Sequence, residues 1–114
     1  MKIQHACDVP ARSVDIDGAE DVKIRLLIHE QEGAPHFYMR QFTVAPGGYT
    51  ARHSHAWEHE IYVLAGSGTA FTPEGEKPMT VGQCIYVAPG EEHQFRNTGS
   101  VPLEFLCLVP AHAS

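Results

Sequence analysis

Two short histidine-containing clusters are the parts of this sequence whose residue types could do chemistry. The first runs from His53 to Glu60 and reads His-Ser-His-Ala-Trp-Glu-His-Glu, and the second, residues 88–93, ends at His93. Neutral imidazoles bind ions such as zinc, copper, iron and nickel, so histidines that converge from two segments indicate a transition-metal site. A His-x-His-x-x-x-His pattern arises by chance in only about one of 30 chains of this composition. The sequence therefore predicts a metal site.

The segments that must position these histidines are short and rich in β-forming residues. They are separated by glycine and proline turn signals, such as Pro46-Gly47-Gly48. No helix-length window shows a sustained 3.6-residue period. Many short strands joined by such turns are typical of an all-β sandwich or barrel. The predicted strands are 22–28, 37–44, 50–55, 60–65, 69–72, 79–81, 84–88, 93–97 and 102–109.

Length and composition are those of one ordinary globular domain. The chain has 114 residues, 43% hydrophobic and 19% charged, so we expect a single domain over 1–114, with 1–12 as an N-terminal arm or edge strand. The formal net charge of −6 and the scattered basic residues argue against a nucleic-acid partner. The N-terminus lacks the apolar core of a signal peptide and no apolar run could span a membrane, so we expect a cytoplasmic protein. Three cysteines without a Cys-x-x-Cys pair predict free thiols.

The two clusters and their surrounding glycines resemble the paired motifs of the cupins. The first motif is matched by Gly47-x5-His53-x-His55 with Glu60 and Gly66, and the second by Gly82-x7-Gly90-x2-His93-x3-Asn97. Two positions depart from the family pattern, since Ala88 stands where a proline is usual and Gly66 comes one residue early. The resemblance implies the cupin fold, a double-stranded β-helix or jelly-roll barrel, with metal motifs at 47–66 and 82–97.

The resemblance also implies a ligand set, in which one position is contested. The usual cupin ligands would be His53, His55, Glu60 and His93. Along an unbroken strand, however, positions 53, 55 and 59 share one face while 60 points the other way, although a turn before His59 would reset this phase. The same stretch resembles a subgroup of small bacterial cupins with four histidine ligands, typically loaded with manganese. We therefore predict His53, His55, His59 and His93 as ligands of one divalent transition metal, with manganese first and iron, zinc, nickel, copper or cobalt as alternatives.

Alternation along the neighbouring strands predicts which side chains surround the ion. The predicted pocket residues are Arg40, Phe42, Phe95, Phe105, Cys107 and Val109. For each aromatic residue, plain core packing is the competing interpretation. Arg40, if it points inward, needs an anionic or polar partner. Cys107 is more often a small buried hydrophobe than a nucleophile.

The predicted site points to small-molecule chemistry. Four neutral imidazoles leave a divalent ion its full charge and, if the ion is octahedral, two adjacent open positions. Beside an apolar pocket, this favours a metal-dependent oxygenase or oxidoreductase, dioxygenase-like, acting on a small aromatic or apolar substrate. The first alternative is a non-catalytic cupin that binds a small molecule or a metal. The second is a sugar isomerase or epimerase, which would need a general base that the four ligands do not leave free.

The last predicted strand indicates self-association. Leu106 and Leu108 alternate with the proposed inward residues, so both faces of the strand are apolar and the outer face needs cover. Small cupins commonly pair through such faces, and residues 1–12 are placed to exchange between subunits as an added strand. We predict a two-fold symmetric homodimer.

Overall fold

A computed structural model describes residues 1–113, and strands carry almost all of its regular structure. The strands are β1 (Arg12–Ser13), β2 (Glu20–Ile28), β3 (Phe37–Tyr49), β4 (His59–Ala65), β5 (Ser67–Thr72), β6 (Gly75–Thr80), β7 (Cys84–Val87), β8 (Gln94–Arg96) and β9 (Leu103–Pro110). Within the described residues, the helical segments are three 3-10 turns at Ala6–Asp8, Glu30–Glu32 and Ala111–Ala113. None of the helical segments described is long and apolar enough to cross a membrane.

All nine strands join in one antiparallel sheet that curls around a common interior. The order is β6-β5-β8-β3-β9-β4-β7, and β2 adds to β3 and carries β1 on its other edge. Strand β3 is the junction, because its 13 residues pair with β2, with β9 and, at Tyr49, with β8. The prediction of an all-β barrel is confirmed.

Strand β9 shows most clearly how the sequence pattern builds the interior. Its burial alternates strictly, with Leu103, Phe105, Cys107 and Val109 buried and the residues between them half-buried. Burying one such side chain contributes roughly 1.5–3 kcal/mol. Strand β9 lies between β3 and β4, so its inward residues face both the core and the space beside the first histidine cluster.

Two assignments on the approach to the first histidine cluster are wrong. Pro46-Gly47-Gly48 is not a turn, because β3 continues to Tyr49. The ladder with β2 shifts register there, so these residues form a bulge, with Gly47 at φ 83°. Segment 50–55 is not a strand either, since its regular pairing ends at Tyr49 and only an isolated bridge joins His53 to His93. The first cluster therefore lies in a loop pinned to the second.

Asn97, the last residue of the second motif, organises the turn before β9. It is 3% exposed, and its side-chain amide donates to the carbonyl oxygens of Val44 and Val101, both at 2.8 Å. Its side-chain oxygen accepts from the backbone N–H of Gly99 at 2.9 Å. These bonds satisfy backbone groups that would otherwise be unpaired near the core. Asn97 is a structural residue of the motif.

The N-terminal arm packs on its own chain. Strand β1 pairs with β2 through Arg12 opposite Ile24, and the guanidinium of Arg25 donates to the carbonyl oxygens of Ala6 and Val9, each at 3.0 Å. Of the predicted arm 1–12, only Arg12 lies in an edge strand, and the division of the chain into this arm and one domain stays a prediction. The prediction of free thiols is confirmed, since Cys7, Cys84 and Cys107 are all unpaired.

Candidate metal centre

Three histidines from the two motifs converge at one end of the interior. The donor atoms of His53, His55 and His93 lie within 4.8 Å of one another. The backbone holds the clusters together, because the N–H of His53 donates to the carbonyl of His93 at 3.2 Å and the reverse bond is 2.9 Å. The Nε2 atoms of His53 and His55 face each other at 3.1 Å. Two imidazole nitrogens aimed at one point are suited to sharing a metal ion.

His59 borders this cluster from the first residue of β4. Its ring centroid is 5.2 Å from that of His55 and 5.0 Å from that of His93. Its Nε2 atom is buried and has no hydrogen-bond partner among the described residues, which is costly unless a ligand uses it. Nδ1 lies 3.4 Å from the sulfur of Cys107, and the tautomer in which Nδ1–H donates to that sulfur leaves Nε2 its lone pair. The donor set therefore fits a divalent transition ion.

Glu60, the usual cupin ligand position, lies on the other face of β4. It is exposed, whereas His59 is 6% exposed. The parity argument from an unbroken strand does not apply, because the chain bends at Ala56 and Trp57 before β4 begins. The burial of His59 and the exposure of Glu60 nevertheless favour His59. Its role as the fourth ligand stays a prediction.

Neighbouring groups orient two of the rings. The Nδ1 atom of His93 lies 2.9 Å from the carbonyl oxygen of Glu91, so Nδ1–H donates there and Nε2 faces the cluster with its lone pair. The indole of Trp57 stacks on the ring of His55 at a centroid distance of 4.6 Å, with 6° between the planes. The hydrogen bond fixes the tautomer of His93, and the stacking restricts the orientation of the His55 ring.

The site disfavours protonation of His53, His55 and His59. Burial lowers the pKa of His59 to about 3, with electrostatic repulsion from His93 and Arg40 adding to the effect. Burial likewise lowers the pKa of His55 to about 4, and it lowers the pKa of His53. Only the deprotonated ring can coordinate a metal. His55 and His59 therefore offer unprotonated ring nitrogens at neutral and mildly acidic pH.

The lowered pKa values predict how the stability of the metal-free protein depends on pH. In the unfolded chain, His55 and His59 regain a pKa of about 6.5. Between that pH and about 4, the unfolded chain binds more protons than the native protein, so the free energy of unfolding falls as the pH falls. Urea unfolding at pH 7 and at pH 5 measures the difference.

The matched control is a double variant, His55→Gln with His59→Gln, which removes both titrating rings. Its urea midpoint should change less between pH 7 and pH 5 than that of the metal-free wild type. An equal change in the two proteins would show that other groups cause the pH dependence.

A cavity of about 470 Å³ opens beside the histidines. All four histidines line it, together with five of the six predicted pocket residues, which are Arg40, Phe42, Phe95, Phe105 and Cys107. Val109 is buried in the core but is not among the lining residues, because it lies farther along β9, opposite Tyr38. The volume is in the range of small-molecule sites.

The aromatic residues form one continuous wall of the cavity. The rings of Phe42 and Phe105 stack with centroids 5.4 Å apart, and Phe95 meets Phe105 edge-on at 5.3 Å. The registers place Phe42 opposite Phe105, and Arg40 opposite Cys107, across the β3–β9 ladder. Core packing and pocket lining are therefore not alternatives here, since the same rings do both.

Sequence reasoning missed a second wall of the cavity. This wall is formed by the N-terminal segment and β2. It comprises Arg12, Ser13, Val14, Asp15, Ile16, Ala19, Val22, Ile24 and Leu26, and Trp57 also lines the cavity. The alternation of Val22, Ile24 and Leu26 was a usable signal for β2. No local pattern indicated that the segment before it would fold over the site.

Comparisons with known proteins agree with this architecture. A family model described as "Cupin domain" matches residues 40–109. The structure of a polyketide cyclase from Streptomyces resistomycificus superposes with a TM-score of 0.92 at 37% identity, covering 97% of this chain and 80% of that one. The structure of a predicted oxalate decarboxylase from Thermotoga maritima gives a TM-score of 0.85 at 23% identity, covering 96% and 98%, and supports the fold alone.

Curated relatives match over shorter stretches. An oxalate-binding protein from Thermotoga maritima is 35% identical over 65 residues, 56% of this chain and 54% of that protein. A glucose-6-phosphate isomerase from Thermococcus gammatolerans is 40% identical over 80 residues, 65% of this chain and 41% of that protein. The chain thus spans about half or less of the length of these relatives.

Proposed function

The chain belongs to the cupin family, and from that premise we propose that it binds one divalent transition metal and acts on a small, largely apolar carbonyl compound. The metal ligands would be His53, His55, His59 and His93. The observation that carries the proposal is the cluster of His53, His55 and His93 on a largely apolar cavity. It is bordered by the buried Nε2 of His59, which has no hydrogen-bond partner within residues 1–113. Sites that bind small molecules combine such apolar walls with a few convergent polar groups.

The chemistry is divided between the ion and the chain. A bound divalent ion would supply Lewis acidity toward a carbonyl oxygen. The residues of the chain would bind the substrate and orient the ligands. Phe42, Phe95 and Phe105 pack against the body of the substrate and exclude water. The carbonyl of Glu91 and the indole of Trp57 hold the rings of His93 and His55 in place. The imidazole set suits several first-row ions, and manganese remains the first candidate because of the four-histidine resemblance.

Cyclisation is the reaction type we favour. Support comes from the polyketide cyclase, which is 37% identical over 97% of this chain. An intramolecular aldol condensation of a 1,3-polyketone forms one carbon–carbon bond between an enol carbon and a carbonyl carbon. Such a compound enolises without a protein base, because its methylene lies between two carbonyls. The enol proton passes to the new alkoxide, and the resulting hydroxyl leaves as water with the second hydrogen of the same methylene, so no oxidant is consumed. The apolar cavity beside the histidines would hold a folded chain of this kind while water is kept out.

The dioxygenase-like hypothesis from the sequence is the second candidate. Its support is that the four histidines line the same cavity as the aromatic residues. They would hold an ion beside a bound substrate, where the ion could supply redox chemistry. The sugar-isomerase alternative is weaker, because all four histidines at the site are assigned to the metal and none is left as a base. A non-catalytic binding role is the remaining outcome of the test.

A reaction screen with metal control tests the proposal. Metal-free protein is reloaded separately with manganese, iron, cobalt, nickel, copper or zinc, and incubated with an aryl polyketone and with the matched monoketone, while dissolved oxygen is recorded. We expect metal-dependent cyclisation of the polyketone without oxygen uptake, lost in His93→Ala and retained in Glu60→Ala. Metal-dependent oxygen uptake would support the oxygenase instead, and binding without turnover of either compound would support the non-catalytic role.

We also propose that the chain forms the homodimer predicted from β9. Leu106 and Leu108 are half-buried on the outer face of the sheet, and Leu106 lies opposite the exposed Tyr62 of β4. These residues make an apolar outer surface that a second copy could cover.

A further inference from the structure

Arg40 places a positive charge inside the cavity, close to the histidines. Its guanidinium lies over the ring of Phe42, with Cζ 5.1 Å from the ring centroid, and its Nη2 donates to the sulfur of Cys107 at 3.1 Å. The Nε atom is buried and has no hydrogen-bond partner among the described residues. A buried donor without an acceptor costs free energy, and Arg40 lines the cavity, so its guanidinium has hydrogen-bonding capacity that a ligand could use.

No carboxylate of the described chain neutralises this charge. The salt bridges of residues 1–113 involve Lys2, Arg52, Lys77 and Arg96, and Arg40 takes part in none of them. Asp15, which lines the same cavity, is solvent-exposed and makes no salt bridge with Arg40. The cavity is thus positive on the side of Arg40, and a divalent ion held by neutral imidazoles would add to that charge.

We infer that the cavity selects an organic anion, whose carboxylate or enolate oxygen binds Arg40 while its apolar body packs against the aromatic wall. The inference rests on the proposed function, whose substrate class it narrows. A guanidinium in an apolar site recognises such oxygens strongly, because the hydrogen bond is charge-assisted and the fork of donors is rigid. The wall formed by Phe42, Phe95 and Phe105 suits a planar body.

The test compares two probes of nearly equal size and shape, benzoate and benzamide, by titration calorimetry. It uses the wild type, Arg40→Gln and Arg40→Lys, each both metal-free and manganese-loaded, at one ionic strength. Arg96→Gln, which removes an exposed arginine paired with Glu76, is the matched control. We expect the metal-free wild type and Arg96→Gln to prefer benzoate by about tenfold, in line with a hydrogen bond to a charged group.

Arg40→Gln should remove that preference, and Arg40→Lys should keep part of it, because a lysine retains the charge but not the fork. Equal binding of the two probes to the metal-free wild type, or an unchanged preference in a folded Arg40→Gln, would overturn the inference. If Arg40→Gln does not fold, the inference is tested by the preference of the wild type for benzoate over benzamide and by the size of that preference in Arg40→Lys.

Elemental analysis of each protein separates this inference from the proposed function. Arg40→Gln should retain its metal, since Arg40 is not a ligand. A wild type that holds no metal but prefers benzoate would refute the proposed metal chemistry and leave the anion site standing. A wild type that holds metal but shows no preference would refute the anion site alone.

Discussion

We expect each of the single substitutions His53→Ala, His55→Ala, His59→Ala and His93→Ala to lower the affinity for a divalent ion at least about tenfold. Mutation of a residue that only hydrogen-bonds to a metal ligand already costs about tenfold in affinity, so loss of the ligand itself should cost at least as much. Glu60→Ala is the matched control, since Glu60 adjoins His59 but is exposed on the opposite face of β4. We expect it to bind the ion as the wild type does. Titration calorimetry with manganese measures the affinities.

Thermal unfolding gives a second measurement of the same prediction. An ion that binds only the native protein raises the free energy of unfolding by about 2.7 kcal/mol at 100 times its dissociation constant. The wild type and Glu60→Ala should show this gain, and the histidine variants should show less at the same metal concentration. The metal-free wild type should stay folded, because its core is formed by β-strand side chains. Loss of metal in Glu60→Ala together with full retention in His59→Ala would show that Glu60, as in the usual cupin ligand set, is the fourth ligand in place of His59.

The largest expected effect on stability comes from Phe105→Ala. Phe105 is 1% exposed and contacts the rings of both Phe42 and Phe95, so its removal leaves a cavity at the centre of the aromatic wall. Truncation of a buried phenylalanine typically costs about 3–5 kcal/mol. Urea unfolding measures the loss.

The control for this prediction is Phe37→Ala, which makes the same chemical change at a residue that is 66% exposed. It should change the free energy of unfolding by no more than about 0.5 kcal/mol, as is usual at the surface. If Phe105→Ala is too unstable to measure, Phe105→Leu should show a smaller loss of the same sign. If Phe105→Ala and Phe37→Ala lower the free energy of unfolding by similar amounts, the aromatic wall does not stabilise the core.

The all-β fold and most of the candidate site could be predicted because their signals are local. Alternation with a period of two placed Phe105 and Cys107 on the inward face of β9, as the structure shows. The histidine spacing together with the cupin resemblance predicted His53, His55 and His93 in one site, and their donor atoms lie within 4.8 Å of one another. Alternation needs only strand geometry, which a single segment specifies, whereas the joining of the two histidine clusters was predicted from the family resemblance.

Tertiary structure decided the features that depend on which segments meet. The glycines at 47 and 48 form a bulge within β3 because the ladder with β2 shifts there, so a turn signal was misread. The same limit applies to segment 50–55, since a strand requires a partner along its length and the chain offers one only at His53. The missed wall from Arg12 to Leu26 also depends on long-range pairing, through β1 on β2 and β2 on β3.

Residue types, their spacing and the family resemblance thus predicted the histidine cluster and the barrel class of this protein. The surroundings of the site were decided only in three dimensions. Arg40 illustrates the reason: its type and its inward parity were readable, whereas the absence of a carboxylate partner within residues 1–113 depends on every element packed around the cavity. Charge compensation is a property of the assembled interior, because it depends on distances between residues far apart in the chain.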